Sequence, residues 1–251
     1  MKAFLNGENG MDRIAVVTGG DRGIGAAVSA KLADDGYRVL ICYNTARQKA
    51  EELKEKIMNN GGAAEIIKWD LRNEEDIRKT AEYAEKLGET EILVNNAGVS
   101  VIGQIQDMTA EQIDWILDVN VRGMILMSRE MSRPMISRKR GCMINISSMW
   151  GVTGASCETV YSASKAAVIG FTKALAKEIG PSGIRVNCIA PGVINTEMNS
   201  HLSEDDLRVL SDETPLGFIG EPDDVADAVS DLVRSRFITG QVLGVDGGFA
   251  V

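Results

Sequence analysis

The chain is 251 residues long, 44% hydrophobic and 25% charged, proportions that suit a folded protein with a buried core and give no case for disorder. A formal net charge of −9 disfavours a nucleic-acid partner, because such binding depends on Lys and Arg neutralising phosphates. The apolar runs fall well short of the ~20 residues that span a bilayer, and no basic stretch followed by an apolar one marks a secretory leader, so a cytoplasmic protein with a small-molecule substrate and no membrane contact is expected.

Residues 1–11 read as an N-terminal extension, disordered or an upstream start ahead of Met11. From there, runs rich in Val and Ile at 13–18, 38–43, 64–69, 92–95, 142–146, 185–190 and 242–245 predict strands. Helical patterns fill the gaps at 24–34, 46–59, 74–87, 110–131, 160–179 and 223–233, with apolar residues returning at three- and four-residue intervals. Gly36, Gly61, Gly88 and Gly180 punctuate several C-terminal ends. With no Pro- or Ser-rich linker, this alternation predicts one α/β domain over 12–251: a doubly wound (Rossmann) seven-stranded parallel sheet with helices on both faces. Segment 192–220 breaks the rhythm; it carries Glu204, Asp205 and Asp206 and reads as a substrate-loop region, either a lid or a solvated structural excursion.

Cys42, Cys142, Cys157 and Cys188 lack paired spacing and a nearby His, so buried free thiols are expected, with no metal site and no disulfide framework. Cys157, four residues before Tyr161, could face a substrate. His201 is the single histidine, expects a surface position, and has no partners for a nucleophilic triad.

After the first strand comes Thr18-Gly19-Gly20-Asp21-Arg22-Gly23-Ile24-Gly25, leading straight into a helix. Glycines there let backbone amides approach a pyrophosphate at a helix N-terminus. A purely structural β-to-α turn competes with that reading, but the first turn of a doubly wound sheet is where dinucleotides bind. The second strand ends in Tyr43-Asn44, where NAD enzymes place an acid. With no carboxylate to repel a 2′-phosphate, and with Arg22 in the turn and Arg47 behind the strand, NADP(H) is expected. Arg47 could equally be a solvated helix residue.

The Gly-x-x-x-Gly-x-Gly spacing, Asn95-Asn96-Ala97-Gly98 after the fourth strand, Pro191-Gly192 followed by Thr196 and Met198, and Val245-Asp246-Gly247-Gly248 together resemble the short-chain dehydrogenase/reductase family over residues 12–249. The resemblance implies a nicotinamide cofactor held by Gly19, Asp21, Arg22, Gly23, Ile24 and Gly25. It extends that set to Tyr43, Asn44, Asp70, Leu71, Asn96, Ala97 and Gly98, and to Pro191, Gly192, Ile194 and Thr196. Asp70 matches the family's adenine-binding acid, although a strand-end Asp can also cap the next helix.

Tyr161 and Lys165 are four apart in a helical pattern and share one face. An ammonium near a phenol favours the ionised form, which lets tyrosine exchange a proton nearer neutral pH. Ser148 stands thirteen positions before Tyr161, the family's usual spacing, with Ser147 as a competitor, and Asn120 completes a tetrad. The resemblance implies that Tyr161 protonates the carbonyl oxygen, Ser148 hydrogen-bonds it, Lys165 tunes Tyr161 and binds the nicotinamide ribose, and Asn120 holds a relay water; Tyr161 and Lys165 thus also touch cofactor. An intact tetrad argues against a non-catalytic nucleotide-sensing scaffold.

Within the family the chain looks most like 3-oxoacyl-(acyl carrier protein) reductases of fatty acid synthesis. It is also similar, through Trp150-Gly151 and Gly154-Ala155-Ser156-Cys157-Glu158, to reductases of the 5-aminopentanone modification on elongation factor P. Arg138-Lys139-Arg140 could dock an acidic acyl carrier protein or could be a solvated loop closing a helix. Ser182 stands where acyl-carrier reductases often have a second base, and Glu158 suits a cationic amino-ketone; the fatty-acid reading is kept ahead. The family resemblance also implies a homotetramer built through helices 110–131 and 160–179 and the last strand, with a short approach at Arg234-Ser235-Arg236-Phe237.

Overall fold

A computed structural model describes residues 12–200 and 202–250, so the expected N-terminal extension and His201 lie outside the described residues. The strands are β1 (Arg13–Thr18), β2 (Arg38–Tyr43), β3 (Ala63–Lys68), β4 (Glu89–Asn95), β5 (Gly141–Ile146), β6 (Ile184–Pro191) and β7 (Val242–Val245). The helices are α1 (Gly23–Asp34), α2 (Arg47–Asn59), α3 (Glu74–Leu87), α4 (Ala110–Leu117), α5 (Met124–Arg138), α6 (Trp150–Thr153), α7 (Thr159–Ile179), α8 (Glu204–Glu213) and α9 (Pro222–Arg234). All strand pairs are parallel, in the order β3-β2-β1-β4-β5-β6-β7. That is the doubly wound sheet expected from the alternation.

A parallel sheet covered on both faces needs strands apolar in every position. Along β1, Ala15 and Val17 face one core with Val28, Leu32 and Val229 from α1 and α9. Ile14 and Val16 face the other with Ile77, Met127 and Met131 from α3 and α5. The chain reverses its winding between β1 and β4, and the crevice outside their C-terminal ends is where ligands bind in such sheets.

Four departures from the sequence expectation have physical causes. β4 starts three residues before the predicted 92, because Glu89 and Glu91, only 3% and 2% exposed, are buried against Arg140, and Glu91 also against Arg13. The helix predicted over 110–131 is interrupted by a π-turn at Asp118–Gly123 and then runs past Pro134 to Arg138. Segment 192–220 contains α8: its acids are first-turn residues behind a Ser203–Asp206 capping box. The neck of that excursion is closed by Asn195 N–H to Gly220 C=O at 2.8 Å and Gly220 N–H to Val193 C=O at 3.0 Å.

The fourth concerns Arg138-Lys139-Arg140, which stand just before β5, at the end of the sheet opposite the crevice. Arg138 donates to Glu85 at 2.7 Å and to the Thr90 carbonyl at 3.0 Å; Arg140 donates to Glu89 at 2.7 Å. Lys139 caps α5 in the left-handed conformation, φ 53°. Arg138 and Arg140 are thus held in structural ion pairs and Lys139 closes the helix, away from the crevice, which favours the loop-closing reading over a role at the site entrance. Among the described residues, no helix is long and apolar enough to cross a membrane.

Candidate active site

The β1–α1 turn is made by glycines that no other residue could replace cheaply. Gly19 and Gly23 have φ of +59° and +47°, and a Cβ on Gly25 would lie 2.0 Å from the Gly19 carbonyl oxygen. α1 begins with no side-chain cap and no acidic residue in its first turn, so its leading N–H groups stay open to an anion. Asn96 pins the end of β4 to this turn: its Nδ2 donates to the carbonyls of Thr18 and Gly19, both at 3.0 Å. The Thr18 hydroxyl in turn accepts the amides of Asn96 and Ala97 at 2.9 and 3.0 Å.

A groove of 420 Å³ runs over this turn, walled by Gly19, Asp21, Arg22, Gly23, Ile24 and Gly25. Asn44, Asp70 and Leu71 close it on the β2–β3 side, and Asn96, Ala97, Gly98 and Thr196 on the other. Asp70 is not a helix cap, since Asn73 caps α3; its carboxylate takes the Arg72 guanidinium at 2.6 and 3.1 Å, which holds it below the usual carboxylate range. Tyr43 lines neither this groove nor the next cavity; the pleat turns it into the core. Arg47 also stays outside, exposed and paired with Glu51 at 2.7 Å. Thr45, Trp69, Trp115 and Glu197 line the groove without having been singled out.

The groove adjoins a larger cavity of 860 Å³, with Arg22, Ile24, Asn96, Gly98 and Thr196 bordering both. Ser148, Tyr161 and Lys165 form part of its wall, along with Pro191, Gly192 and Ile194. Lys165 Nζ donates to the Ile146 carbonyl at 3.0 Å and sits 5.6 Å from the centre of the Tyr161 ring. Ser147 and Ser148 both border the cavity, but the Ser147 hydroxyl is spent on the Lys165 carbonyl at 2.7 Å, which leaves Ser148 as the serine available to a ligand.

Asn120 lies just behind that wall, inside the π-turn. Its Oδ1 accepts the Val99 amide at 2.8 Å, while its Nδ2 donates to the Val99 carbonyl at 2.8 Å and to Ser164 at 3.0 Å. Gly98 fills the gap between, since a Cβ there would lie 3.1 Å from Lys165 Nζ and 3.5 Å from Asn120 Oδ1.

Comparison with known proteins agrees with this geometry. The profile of the short chain dehydrogenase family matches residues 13–207. This chain belongs to the short-chain dehydrogenase/reductase family, and it is an oxidoreductase. It is 37% identical over 243 residues to the uncharacterized oxidoreductase YmfI of Bacillus subtilis, covering 95% of this chain and 99% of that one. It is 39% identical over 239 residues to a human 3-oxoacyl-[acyl-carrier-protein] reductase, covering 95% and 98%. Among solved structures, an actinorhodin polyketide ketoreductase with NADPH superposes with a TM-score of 0.92 at 28% identity, over 98% of this chain and 99% of that one.

Electrostatics in this short-chain dehydrogenase/reductase differ from the sequence expectation in one respect. Burial pushes the Tyr161 phenol up to about 12, with Ser148 pulling it down and Glu158 adding to the rise. Lys165, 4% exposed, is itself brought down to about 8 by loss of water. Desolvation therefore dominates, and the tyrosine rests protonated at neutral pH. At the cavity mouth, Glu158 accepts a hydrogen bond from Ser100 at 2.8 Å. Cys157 lies outside the cavity wall; it adopts φ +62° and its carbonyl accepts the Gly103 amide at 2.8 Å, so it buttresses the loop opposite.

Proposed function

We propose that this enzyme reduces a ketone to a secondary alcohol with NADPH. The observation that carries the reading is that Ser148, Tyr161 and Lys165 wall one cavity that opens into the groove over the glycine turn. The fit to a dinucleotide rests on that turn, where backbone fills the space a Cβ at Gly25 would need and α1 presents free amides. Arg22 and Asn44 at the groove, with no acid at the end of β2, favour the 2′-phosphorylated form. When bound, the cofactor supplies the hydride.

The protein's part is orientation and proton handling. Tyr161, held protonated, donates to the carbonyl oxygen as negative charge grows there, and Ser148 donates a second hydrogen bond to the same atom. Lys165, still mostly protonated at neutral pH, holds positive charge behind the phenol and binds the ribose. Asn120 clamps Val99 to α7 and keeps one Oδ1 lone pair for a relay water.

For the substrate, relatives named 3-oxoacyl-[acyl-carrier-protein] reductase support a 3-oxoacyl thioester on acyl carrier protein, in cytoplasmic fatty acid synthesis. A second reading, a cationic amino-ketone such as the 5-aminopentanone group on elongation factor P, is favoured by the Glu158 carboxylate in the cavity wall and by the engagement of Arg138 and Arg140 at the far end of the sheet. Oxidation of NADPH measured side by side with an acetoacetyl thioester and with the modified elongation factor separates them: turnover of the modified protein alone rejects the first. Tyr161→Phe should abolish both while cofactor binding persists. Exposed Leu117 and Ile125 on α4 and α5 and Leu243 on β7 support a homotetramer, which a light-scattering mass of one chain would reject.

A further inference from the structure

Glu197, in the short turn Glu197–Asn199 directly after Thr196, reaches two cations that come from different parts of the chain. One carboxylate oxygen accepts a hydrogen bond from Lys49 on α2, and the other lies 3.7 Å from the Arg22 guanidinium in the glycine turn. Arg22 is steadied from its other side by Asp21, which accepts from Nε at 2.9 Å. Arg22 and Glu197 both line the groove, next to Asn44 and Thr45 at the end of β2. That end of β2 is where a doubly wound nucleotide fold meets the adenosine ribose and any 2′-phosphate on it. Arg22 in the groove wall and Lys49 just outside it on α2 are thus already matched by one internal anion. Arg47, the sequence candidate for this role, is instead turned toward Glu51.

On the NADP(H) reading above, we infer that Glu197 is an internal counter-anion that sets cofactor preference: it holds Arg22 and Lys49 in place and yields them to the 2′-phosphate. A phosphate near neutral pH carries up to two charges and three acceptor oxygens against one charge and two oxygens, so it wins both cations, but it must displace the carboxylate to do so. A ligand without that phosphate has nothing to gain from the displacement. Lys49 also holds Glu197 ionised, its carboxyl pushed below the usual range.

The test is calorimetric titration of the full chain with NADP+ and with NAD+, using the parent, Glu197→Gln and Lys49→Met. Both side chains are exposed, so neither change threatens folding. Glu197→Gln should tighten NADP+ by about three- to tenfold and leave NAD+ unchanged, and Lys49→Met should weaken NADP+ selectively by a similar factor. A parent that prefers NADP+ while Glu197→Gln brings no gain, or binds it less tightly, overturns the counter-anion role alone. A parent that binds NADP+ no more tightly than NAD+ overturns the NADP(H) reading and this role together.

Discussion

Ser147 and Ser148 are adjacent in the chain and both border the cavity, but their hydroxyls are used differently: Ser147 Oγ donates to the Lys165 carbonyl at 2.7 Å, and Ser148 Oγ accepts the Trp150 amide at 3.1 Å. The first bond is buried and ties the end of β5 to α7; the second uses only an oxygen lone pair, so the hydroxyl proton, directed at Tyr161 here, can turn to a substrate oxygen. Ser148→Ala should therefore lower kcat by roughly 10²–10³ with little change in stability. Ser147→Ala should cost about 1 kcal/mol of stability and change kcat by only a few-fold. Steady-state kinetics and urea unfolding of the two variants check this, and the reverse pattern would exchange the serines' roles.

Gly25→Ala puts a methyl 2.0 Å from the Gly19 carbonyl oxygen and 2.6 Å from Asn96 Nδ2. The first neighbour is backbone and cannot step aside, so the turn must open. Dinucleotide affinity should fall at least about tenfold, with about 1–3 kcal/mol of stability lost to strain. Gly103→Ala, where a Cβ meets nothing within 4 Å, is the control and should bind normally. Fluorescence titration and thermal melting distinguish the two.

What could be read from the sequence was whatever repeats locally. The strands announced themselves because a sheet covered on both faces needs continuous apolar runs, as in Val39, Leu40, Ile41 and Cys42. Tyr161 and Lys165 share a face because a helix has 3.6 residues per turn. Long-range pairings left no such trace. Glu89 and Glu91 look like loop residues until Arg140, some fifty positions away, is folded against them. The acids of α8 looked solvated because a first-turn acidic cluster and a charged loop have the same composition. The π-turn that aims Asn120 at Val99 shifts register by one residue, below what an apolar pattern resolves. Lys49 and Glu197 are 148 positions apart, and nothing in either neighbourhood names the other.

Lys165 gives the fold a specific pH signature. Its folded-state value, about 8, lies below the ordinary lysine value, so between about pH 8 and 10 the unfolded chain binds the proton that the folded chain has lost. Stability from this group therefore rises with pH across that window, by up to about 1.4 kcal/mol per unit. Tyr161, raised to about 12, opposes this only above pH 10, where the unfolded phenol ionises first. The difference in unfolding free energy between the parent and Lys165→Met, measured at pH 8 and pH 10, should move in the parent's favour by one to two units' worth of that slope. A difference independent of pH would mean that Lys165 keeps its ordinary value.

Glu158 separates the two substrate classes most directly. Its carboxylate is in the cavity wall, three residues before Tyr161, and is oriented by the Ser100 hydroxyl at 2.8 Å. A substrate ammonium meeting it would gain a charge-assisted hydrogen bond, worth about 1.5–3 kcal/mol in a site partly withdrawn from water. Glu158→Gln keeps the shape and the Ser100 contact but removes the charge, so KM for a cationic amino-ketone should rise about 10- to 100-fold while kcat changes little. For a neutral 3-oxoacyl thioester the same change removes no attraction, and KM should stay within about twofold. The variant also removes a charge that raises the Tyr161 phenol, so the alkaline limb of the kcat profile should move to lower pH with either substrate. That shared shift ties the readout to the cavity: its absence would place Glu158 too far from Tyr161 to contact a substrate there, whichever ketone is turned over.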